Sequence, residues 1–405
     1  MEIAVIGGGA AGFFAALSCK AHHPKAKVHL YEKSSKLLAK VKVSGGGRCN
    51  VTHSCFKVSE LVKNYPRGGR ALKKSLGIFN TNHTIDWFKE RGVELKTEAD
   101  GRMFPTTDDS QTIIDCLTKE ARHLGVHIQA NSPVKYIQKR EEGFLLGFKR
   151  SETKKVDKVI VATGGSPRLT GFDWLKKLGH TVEEPVPSLF TFNMPNEPVK
   201  ELMGVVVNPV EVRIQGTKLK SEGPLLITHW GMSGPAILKL SAFGARILHE
   251  KEYNFVVMIN WAGNKSEEEI RSALRKAVKD HPKKKVNNVN SFSMPTRMWE
   301  FLLKKLDLPE DMIWENLGKK NINRLTHILF NDEYRVKGKT TFKEEFVTCG
   351  GIKLPEVNMK TMQSRIIPGF YFAGEVLDID GVTGGFNFQS AWTTGFIAGR
   401  LESAS

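Results

Sequence analysis

The sequence predicts an α/β protein in which a parallel sheet, discontinuous in sequence, is joined by a β-rich domain that carries a helical insertion. The first observation is the apolar run Ile3–Ile6, followed by a glycine turn, a helical segment and a second strand-like run at Lys27–Glu32. Strand, turn, helix and strand in so short a stretch form a βαβ unit, which implies parallel strands. The second observation is the buried-strand pattern of Gly369–Glu375 near the C-terminus, which we expect to complete the same sheet.

The other elements of the first domain are predicted from hydrophobic periodicity and turn residues. They are helices at Ile85–Arg91 and Gln111–Leu124, strands at Val126–Gln129 and Val159–Ala162, and a hairpin within Val134–Phe148 that turns near Glu142 and Gly143.

A proline-rich stretch, Pro185–Pro198, marks a change to the β-rich segments Val205–Ile214 and Phe255–Asn260. Helical patterns then dominate, including Ser266–Lys279, whose first turn holds three glutamates where the helix dipole favours acids. We therefore predict three parts. They are a first domain of residues 1–190 and 344–405, a β-rich domain of residues 191–263 and 329–343, and a helical insertion of residues 264–328.

Composition excludes several classes of protein. The chain has 405 residues, 40% hydrophobic and 25% charged, which argues against disorder and collagen. It has no apolar run of roughly 18 residues for a membrane span and no basic segment typical of a signal peptide, so we expect a cytoplasmic protein. The five cysteines are scattered without a Cys-x-x-Cys pair, and no histidine has metal-ligand spacing with Cys or Asp, so no disulfide framework and no metal site are predicted.

The formal net charge is +17, and its distribution is uneven. Residues 1–74 contain 14 Lys and Arg against three acids. We expect this segment to face an anionic partner, with a merely solvated surface as the alternative. The cations after residue 56 are Lys57, Lys63, Arg67, Arg70, Lys73 and Lys74.

Gly7, Gly9 and Gly12 fit the pattern Gly-x-Gly-x-x-Gly between a strand and a helix. These glycines allow a tight turn, approach of the backbone to a pyrophosphate at the helix N-terminus, and close packing of helix on strand. Glu32 ends the next strand, 20 residues after Gly12, where a carboxylate can accept hydrogen bonds from ribose hydroxyls. The pattern predicts dinucleotide binding; the alternative is a glycine-rich turn in a fold that has lost its ligand.

The glycine clusters Val161–Gly165 and Phe372–Glu375 resemble the two internal motifs of large two-dinucleotide flavoproteins. The chain as a whole resembles the bacterial NAD(P)/FAD-dependent oxidoreductase family of the aminoacetone oxidase type. The motifs that carry this resemblance are Ser44–Thr52, Gly101–Pro105, Thr228–Pro235, Gly374–Asp378 and Gly384–Asn387. One departure is His53, where the family commonly has Asn. The resemblance implies a discontinuous FAD-binding domain, a β-rich domain and a helical insertion within the latter. We expect the FAD to be non-covalent, because no His or Cys lies in a motif for flavin attachment.

The loop from Ser44 to Asn50 is expected to expose backbone N–H groups to a flat or anionic ligand, with Arg48 adding a charge. By resemblance it lies along the flavin. We interpret Cys49 as a packed thiol, because no closely spaced cysteine could form a redox pair with it. The N-terminus of a helix after Gly385 is expected to meet the flavin pyrimidine edge. Asp380 is a candidate ligand near the ribityl or phosphate region, with a turn-stabilising role as the alternative.

The complete set of candidate FAD-binding residues is Gly7, Gly9, Ala10, Ala11, Gly12, Glu32, Lys33, Ser44, Gly45, Gly46, Arg48, Cys49, Asn50, Val134, Thr163, Gly164, Gly165, Gly374, Glu375, Asp380, Gly385, Phe386 and Asn387. Arg48 and His229 are the candidate catalytic residues, although a packed, hydrogen-bonded histidine is the alternative for His229.

These features predict an FAD-dependent oxidoreductase that transfers a hydride between flavin N5 and a small organic substrate or NAD(P)H. Only one dinucleotide fingerprint is present, so a nicotinamide would dock transiently. Two other functions remain open. One is an RNA-directed, tRNA-modifying flavoprotein, which the basic surplus would suit although no RNA-binding motif accompanies it. The other is a flavin-binding sensor without turnover. The oligomeric state and the identity of the substrate are left open.

Overall fold

The computed structural model describes residues 1–148, 152–340 and 347–402. It contains two compact units, one formed by Met1–Ser188 with the C-terminal segment and the other by the segment between them. The predicted domain boundary at residues 343 and 344 lies outside the described residues. Among the helices described, none is long and apolar enough to cross a membrane. No disulfide bond joins any of the five cysteines, all of which lie within the described residues.

The secondary structure alternates between helices and short strands. The helices are α1 (Ala10–His22), α2 (Ala39–Gly47), α3 (Val58–Leu61), α4 (Gly69–Leu76), α5 (Thr81–Lys89), α6 (Ser110–His123), α7 (Asp173–Lys176), α8 (Pro235–Phe243), α9 (Ala245–Glu250), α10 (Glu267–Asp280), α11 (Thr296–Lys305), α12 (Gly318–Phe330) and α13 (Phe386–Gly399). The strands are β1 (Glu2–Ile6), β2 (Lys27–Tyr31), β3 (Thr52–His53), β4 (Leu95–Thr97), β5 (Arg102–Pro105), β6 (His127–Gln129), β7 (Tyr136–Lys139), β8 (Phe144–Gly147), β9 (Thr153–Val156), β10 (Lys158–Val161), β11 (Val182–Ser188), β12 (Thr191–Asn193), β13 (Val206–Ile214), β14 (Lys220–Thr228), β15 (Gly231–Ser233), β16 (Asn254–Asn260), β17 (Asp332–Lys337), β18 (Lys339–Thr340), β19 (Val347–Ile352) and β20 (Phe370–Phe372).

The first unit is built on a five-stranded parallel sheet in the order β20-β10-β1-β2-β6. The sheet therefore joins the two ends of the chain, and the predicted discontinuous α/β fold is confirmed. Two smaller antiparallel sheets, β3-β5-β4 and β7-β8-β9, and the antiparallel pair β11-β19 surround it. The predicted hairpin at Gly143 is the turn between β7 and β8.

Small residues bring the helices α1 and α13 into close contact. A Cβ on Gly395 would lie 2.6 Å from the carbonyl oxygen of Ala11, and one on Gly399 would lie 2.5 Å from the carbonyl oxygen of Ala15. Ser18 reinforces the contact, since its hydroxyl donates a hydrogen bond to the Phe396 carbonyl at 2.6 Å. This packing holds the start of α1 and the C-terminal helix in one rigid layer on the sheet.

The second unit contains a seven-stranded sheet in the order β17-β16-β13-β14-β15-β12-β18, whose neighbouring strands pair antiparallel. The helices α10 and α11 fall within the stretch predicted as a helical insertion, and α12 begins in that stretch and ends two residues beyond it. Helix α10 begins with a capping box, because Ser266 and Glu269 each accept a hydrogen bond from the other's backbone N–H. A buried polar cluster ties α11 to the sheet: Asp332 accepts hydrogen bonds from Trp261 and Tyr334 and pairs with Lys305 at 2.5 Å.

Candidate functional site

The site begins at the carboxyl edge of the parallel sheet. Strands β1, β2, β10 and β20 end there, and in parallel strands all carboxyl ends lie on the same side. The segments after these strands carry most of the residues predicted to bind the cofactor. They meet in space, since a Cβ on Gly7 would collide with the Ala162 carbonyl and one on Gly374 would lie 2.7 Å from the Ala11 side chain. Sheet topology therefore gathers residues that are hundreds of positions apart.

The N-terminus of α1 is available to bind an anion. Its N-cap residue, Gly9, makes no side-chain capping hydrogen bond, and the first helical bond runs from Phe13 N–H to the Gly9 carbonyl. The N–H groups of Ala10, Ala11 and Gly12 therefore have no partner within the helix. A Cβ on Gly9 would meet no atom within 4 Å, so open space faces these groups. This arrangement suits a diphosphate, which the helix dipole also favours.

Glu32 lies directly after β2 and organises the glycine turn. Its Oε2 accepts a hydrogen bond from Gly8 N–H at 2.8 Å, and its Oε1 accepts bonds from Ser34 N–H and Oγ at 2.9 Å. Oε1 already accepts two bonds, whereas Oε2 can accept one more, so the carboxylate can still receive a ribose hydroxyl. Lys33, the next residue, is exposed. Val134 lies two residues after Ser132, and the Ser132 N–H donates a hydrogen bond to the Glu32 carbonyl.

The predicted glycine loop leaves α2 at Ser44. Gly45, Gly46 and Gly47 have φ values of 59°, 70° and 85°. Residues other than glycine rarely adopt these left-handed backbone angles. A Cβ on Gly46 or Gly47 would meet nothing within 4 Å. Ser44, Gly45 and Gly46 have non-helical backbone angles although they fall within the bounds of α2, so this segment is a turn and does not continue the helix.

Arg48 and Cys49 follow this loop, and neither is a free reactive group. Arg48 pairs with Glu98 at 2.6 Å and lies over the Phe104 ring at 4.0 Å. Its charge is therefore compensated by a carboxylate, and its catalytic role stays a prediction. Cys49 is fully buried, and burial raises its pKa to about 12, which favours the predicted packed thiol.

Asn50 joins this loop to the start of α13. Its amide oxygen accepts a hydrogen bond from Gly385 N–H at 3.0 Å, and its amide nitrogen donates to the Thr52 carbonyl at 2.9 Å. Helix α13 has no side-chain cap at Gly385, so the N–H groups of its first turn, which begins at Phe386, have no helical partner. Asn387 holds the preceding turn by hydrogen bonds to Gly381 N–H and carbonyl at 2.8 and 2.9 Å.

The turn after β10 lies beside the turn after β20. Thr163, Gly164 and Gly165 follow β10, and Gly164 has open space where a Cβ would be. At Gly165 a Cβ would collide with the Thr348 hydroxyl and lie 2.8 Å from Oε1 of Glu375. Glu375 accepts a hydrogen bond from Thr348 N–H at 2.8 Å and pairs with Lys40 at 2.7 Å.

Thr348 and His53 are site residues that the sequence analysis did not identify as such. Thr348 is 1% exposed, and its hydroxyl has no hydrogen-bond partner among the described residues. His53 stacks on Phe386 with ring centroids 4.7 Å apart, and burial lowers its pKa. Its Nε2 lies 3.2 Å from the Asp100 carbonyl, and its buried Nδ1 has no partner in the described part of the chain. No sequence pattern marks Thr348, whereas His53 stood out as a departure from the resembled family.

The structure gives Asp380 different partners from the predicted ones. Its carboxylate is 0% exposed and is held by Arg67, whose Nε lies 2.6 Å from Oδ1, and by Ser188, whose hydroxyl donates to Oδ2 at 2.7 Å. Burial raises the pKa of Asp380, and the Arg67 guanidinium opposes that shift. The carboxylate thus belongs to a buried ion pair, and its predicted place near the ribityl or phosphate region stays a prediction.

The basic stretch after residue 56 divides into paired and exposed cations. Arg67 belongs to the Asp380 pair, and Lys63 pairs with Glu60 at 2.8 Å. Lys57, Arg70, Lys73 and Lys74 are exposed. If this stretch attracts an anion, Arg67 does not contribute, because its charge is paired with Asp380.

His229 lies in the second unit, in the turn between β14 and β15. It is exposed and packs edge-to-face against Trp230, with ring centroids 4.3 Å apart. It does not belong to the carboxyl-edge cluster of the first unit, and its catalytic role stays a prediction. Among the described residues, no cluster of His, Cys, Asp and Glu could hold a metal ion.

The residues at the carboxyl edge fit FAD. Two uncapped helix N-termini, the open space at Gly9 and Gly164, and the unpartnered Thr348 hydroxyl provide donors and room for a diphosphate and its attached groups. All of these features except Thr348 were predicted from separate motifs, and the fold brings them to one sheet edge.

Comparison with known proteins agrees with this architecture. A family described as HI0933-like protein Rossmann domain matches residues 1–401. The chain is 30% identical over 399 residues to the ribosomal RNA dihydrouridine synthase of Escherichia coli, which covers 96% of this chain and 95% of that protein. It is 26% identical over 412 residues to the 3-dehydro-bile acid delta(4,6)-reductase of Clostridium scindens, covering 99% of each.

Solved structures share the fold at low sequence identity. The open conformation of a flavocytochrome c3 fumarate reductase matches with a TM-score of 0.50 and 19% identity, over 99% of this chain and 77% of that one. The predicted flavoprotein family and cofactor are thus confirmed. The chain belongs to the HI0933-like family of Rossmann FAD-binding proteins, and it is an FAD-dependent oxidoreductase.

Proposed function

We propose that this enzyme reduces a carbon–carbon double bond that is conjugated to a carbonyl group. The observation that carries this proposal is the chemistry shared by the two full-length relatives. A 3-dehydro-bile acid delta(4,6)-reductase acts on ring double bonds conjugated to a 3-oxo group, and a dihydrouridine synthase saturates the uracil double bond next to a carbonyl. Both reactions add one hydride and one proton across the double bond.

The cofactor site supports this reaction through its own residues. When bound, FAD supplies hydride transfer at its N5 atom. The N-terminus of α1 and Gly9 would hold the diphosphate, and Glu32 would hold the ribose. The uncapped N-terminus of α13 at Gly385 would stabilise negative charge at the pyrimidine edge of the ring system. The domain assignment follows: the first unit binds FAD, and the β-rich unit with its insertion serves the substrate.

Two substrate classes fit the proposal, and the net charge favours uracil in RNA. A surplus of 17 positive charges is unnecessary for a small neutral substrate but suits a polyanion. The relative with 30% identity acts on ribosomal RNA according to its name. A steroid-like enone is the second candidate, supported by the bile acid reductase, which aligns over 99% of the chain. This revises the order in which the sequence alone ranked the two classes.

The electron donor is proposed to be NADH or NADPH, docking transiently because a single dinucleotide fingerprint is present. A cytosolic location fits this donor and the five described cysteines, which form no disulfide with one another.

The test uses the FAD-loaded enzyme under anaerobic conditions. NADH or NADPH should bleach the flavin absorbance, and addition of protein-free ribosomal RNA should restore it while mass spectrometry finds uridine that has gained two hydrogens. A conjugated steroid enone serves as the parallel substrate. If the enone reoxidised the flavin and ribosomal RNA did not, the steroid-like enone would be the proposed substrate. Failure of both substrates to restore the absorbance would contradict reduction of a conjugated double bond.

A further inference from the structure

The helical insertion carries a compact group of cations that the fold does not use. Six of the twelve residues 275–286 are Lys or Arg, and one, Asp280, is acidic. We name this group the basic ridge: Arg275, Lys276, Lys279, Lys283, Lys284 and Lys285. All six side chains are exposed, and none forms an ion pair with another described residue.

The ridge has a fixed backbone. Its first half lies on the last turns of α10, whose apolar face is buried through Ile270, Leu274 and Ala277. Its second half follows the helix, where the Lys284 carbonyl accepts a hydrogen bond from Trp314 N–H at 3.0 Å and Lys285 forms a β-bridge with Ile313. Trp314 is itself completely buried. The cations are therefore presented by an ordered surface rather than by a loose tail.

Stability does not explain this concentration of charge. The helix dipole stabilises the charge of Lys279, which lies in the last turn of α10. This stabilisation falls off within one turn and does not reach Lys283–Lys285. Adjacent like charges repel one another and lower the stability of the folded state. The segment around Ile313, which bridges Lys285, contains three acids: Glu310, Asp311 and Glu315. All three are exposed, and none forms an ion pair with the ridge in the described structure. By contrast, Arg271, one turn earlier, is paired with Glu267 and Glu268 at 2.6 Å.

We propose that the basic ridge binds the phosphate backbone of RNA. A row of unpaired, exposed Lys and Arg is the chemistry that neutralises successive phosphates and releases their counterions. The proposal rests on the proposed RNA substrate, and it assigns the ridge to binding and positioning rather than to reading bases. It makes the insertion the part of the enzyme that selects a polyanion over a small enone.

The test compares two variants of the full-length, FAD-loaded protein. The ridge variant replaces Lys276, Lys279, Lys283 and Lys284 with Gln. The matched control replaces four other exposed, unpaired lysines of the same unit with Gln: Lys218, Lys239, Lys251 and Lys304. Both remove four positive charges from the second unit. Flavin absorbance and thermal unfolding check that each variant is folded.

Binding of a fluorescein-labelled oligouridylate is measured by anisotropy over a range of salt concentrations. The ridge variant should bind about tenfold more weakly or worse, and the slope of log K against log salt should fall by about 0.7 per lost contact, roughly 3 in total for single-stranded RNA. The control should stay within about twofold of the wild type, because screening over about 8 Å limits the influence of remote charges. Equal weakening in both variants, or no RNA binding by the wild type, would overturn the proposal. Because binding is measured without turnover, RNA binding that is unaccompanied by uridine reduction would contradict the proposed function and leave the ridge assignment standing.

Discussion

Removal of the Asp380 carboxylate is expected to destabilise the first unit strongly while leaving cofactor contacts in place. Asp380 is fully buried and Arg67 is 15% exposed, with two hydrogen bonds between them and a further one from Ser188. The variant Asp380→Ala removes the carboxylate that pairs with the largely buried Arg67 guanidinium. Loss of one partner of a buried ion pair costs about 3–5 kcal/mol.

The expected change in melting temperature follows from that energy. For a unit of this size, 1 kcal/mol corresponds to roughly 2–4 °C, so Asp380→Ala should lower the Tm by roughly 6–20 °C. Arg67→Met should cost a similar amount, because it strands the carboxylate instead. The double variant should recover most of the loss, since replacing both charges with apolar groups of similar volume is often neutral.

Thermal unfolding of the FAD-free proteins, followed by circular dichroism, measures these effects. Lys63→Met is the control, because its pair with Glu60 is solvent-exposed and such pairs contribute about 0–1 kcal/mol. Titration with FAD completes the experiment. If Asp380→Ala kept the wild-type Tm but bound FAD much more weakly, the carboxylate would be a cofactor ligand and the structural interpretation would be wrong.

Three further predictions address the cofactor site and pH. Gly9→Val should abolish FAD retention with little change in the Tm of the FAD-free protein, because its side chain enters open space; retained FAD in a yellow preparation would refute the diphosphate assignment. Glu32→Ala should weaken FAD binding by about 1–3 kcal/mol, measured by fluorescence titration, since ribose hydroxyls and Gly8 N–H lose their acceptor; an unchanged Kd would place the ribose elsewhere. Burial lowers the pKa of His180, so the unfolded chain takes up a proton first as the pH falls below about 6.5. Urea unfolding should therefore show stability that is complete above that pH and declines below it, and His180→Phe should reduce the decline; an identical pH dependence in both proteins would exclude His180 as its source.

Several features of this protein were predictable because they are local in sequence. The turn at Gly7–Gly12 and the capping box at Ser266 depend on residues within a few positions of each other, and their conformations follow from backbone sterics and hydrogen bonding. The apolar runs that form β1, β10 and β20 likewise mark buried parallel strands wherever they occur in the chain. The α/β fold and the FAD-binding family could therefore be predicted from the sequence.

Tertiary structure alone decided which polar groups are partners. Asp380 looked like a cofactor ligand from its position near the C-terminal glycines, but its partner Arg67 lies 313 positions away. The sequence placed the charge of Arg48 at the glycine loop but did not show its partner Glu98, which is 50 positions away. Thr348 lies beside Gly165 and Glu375 only in the folded chain, so no local pattern marked it. Burial and pairing depend on contacts between remote segments, and no local pattern encodes them. The sequence by itself determined where the glycine turns and strands would form, whereas packing determined which charges are available to a ligand.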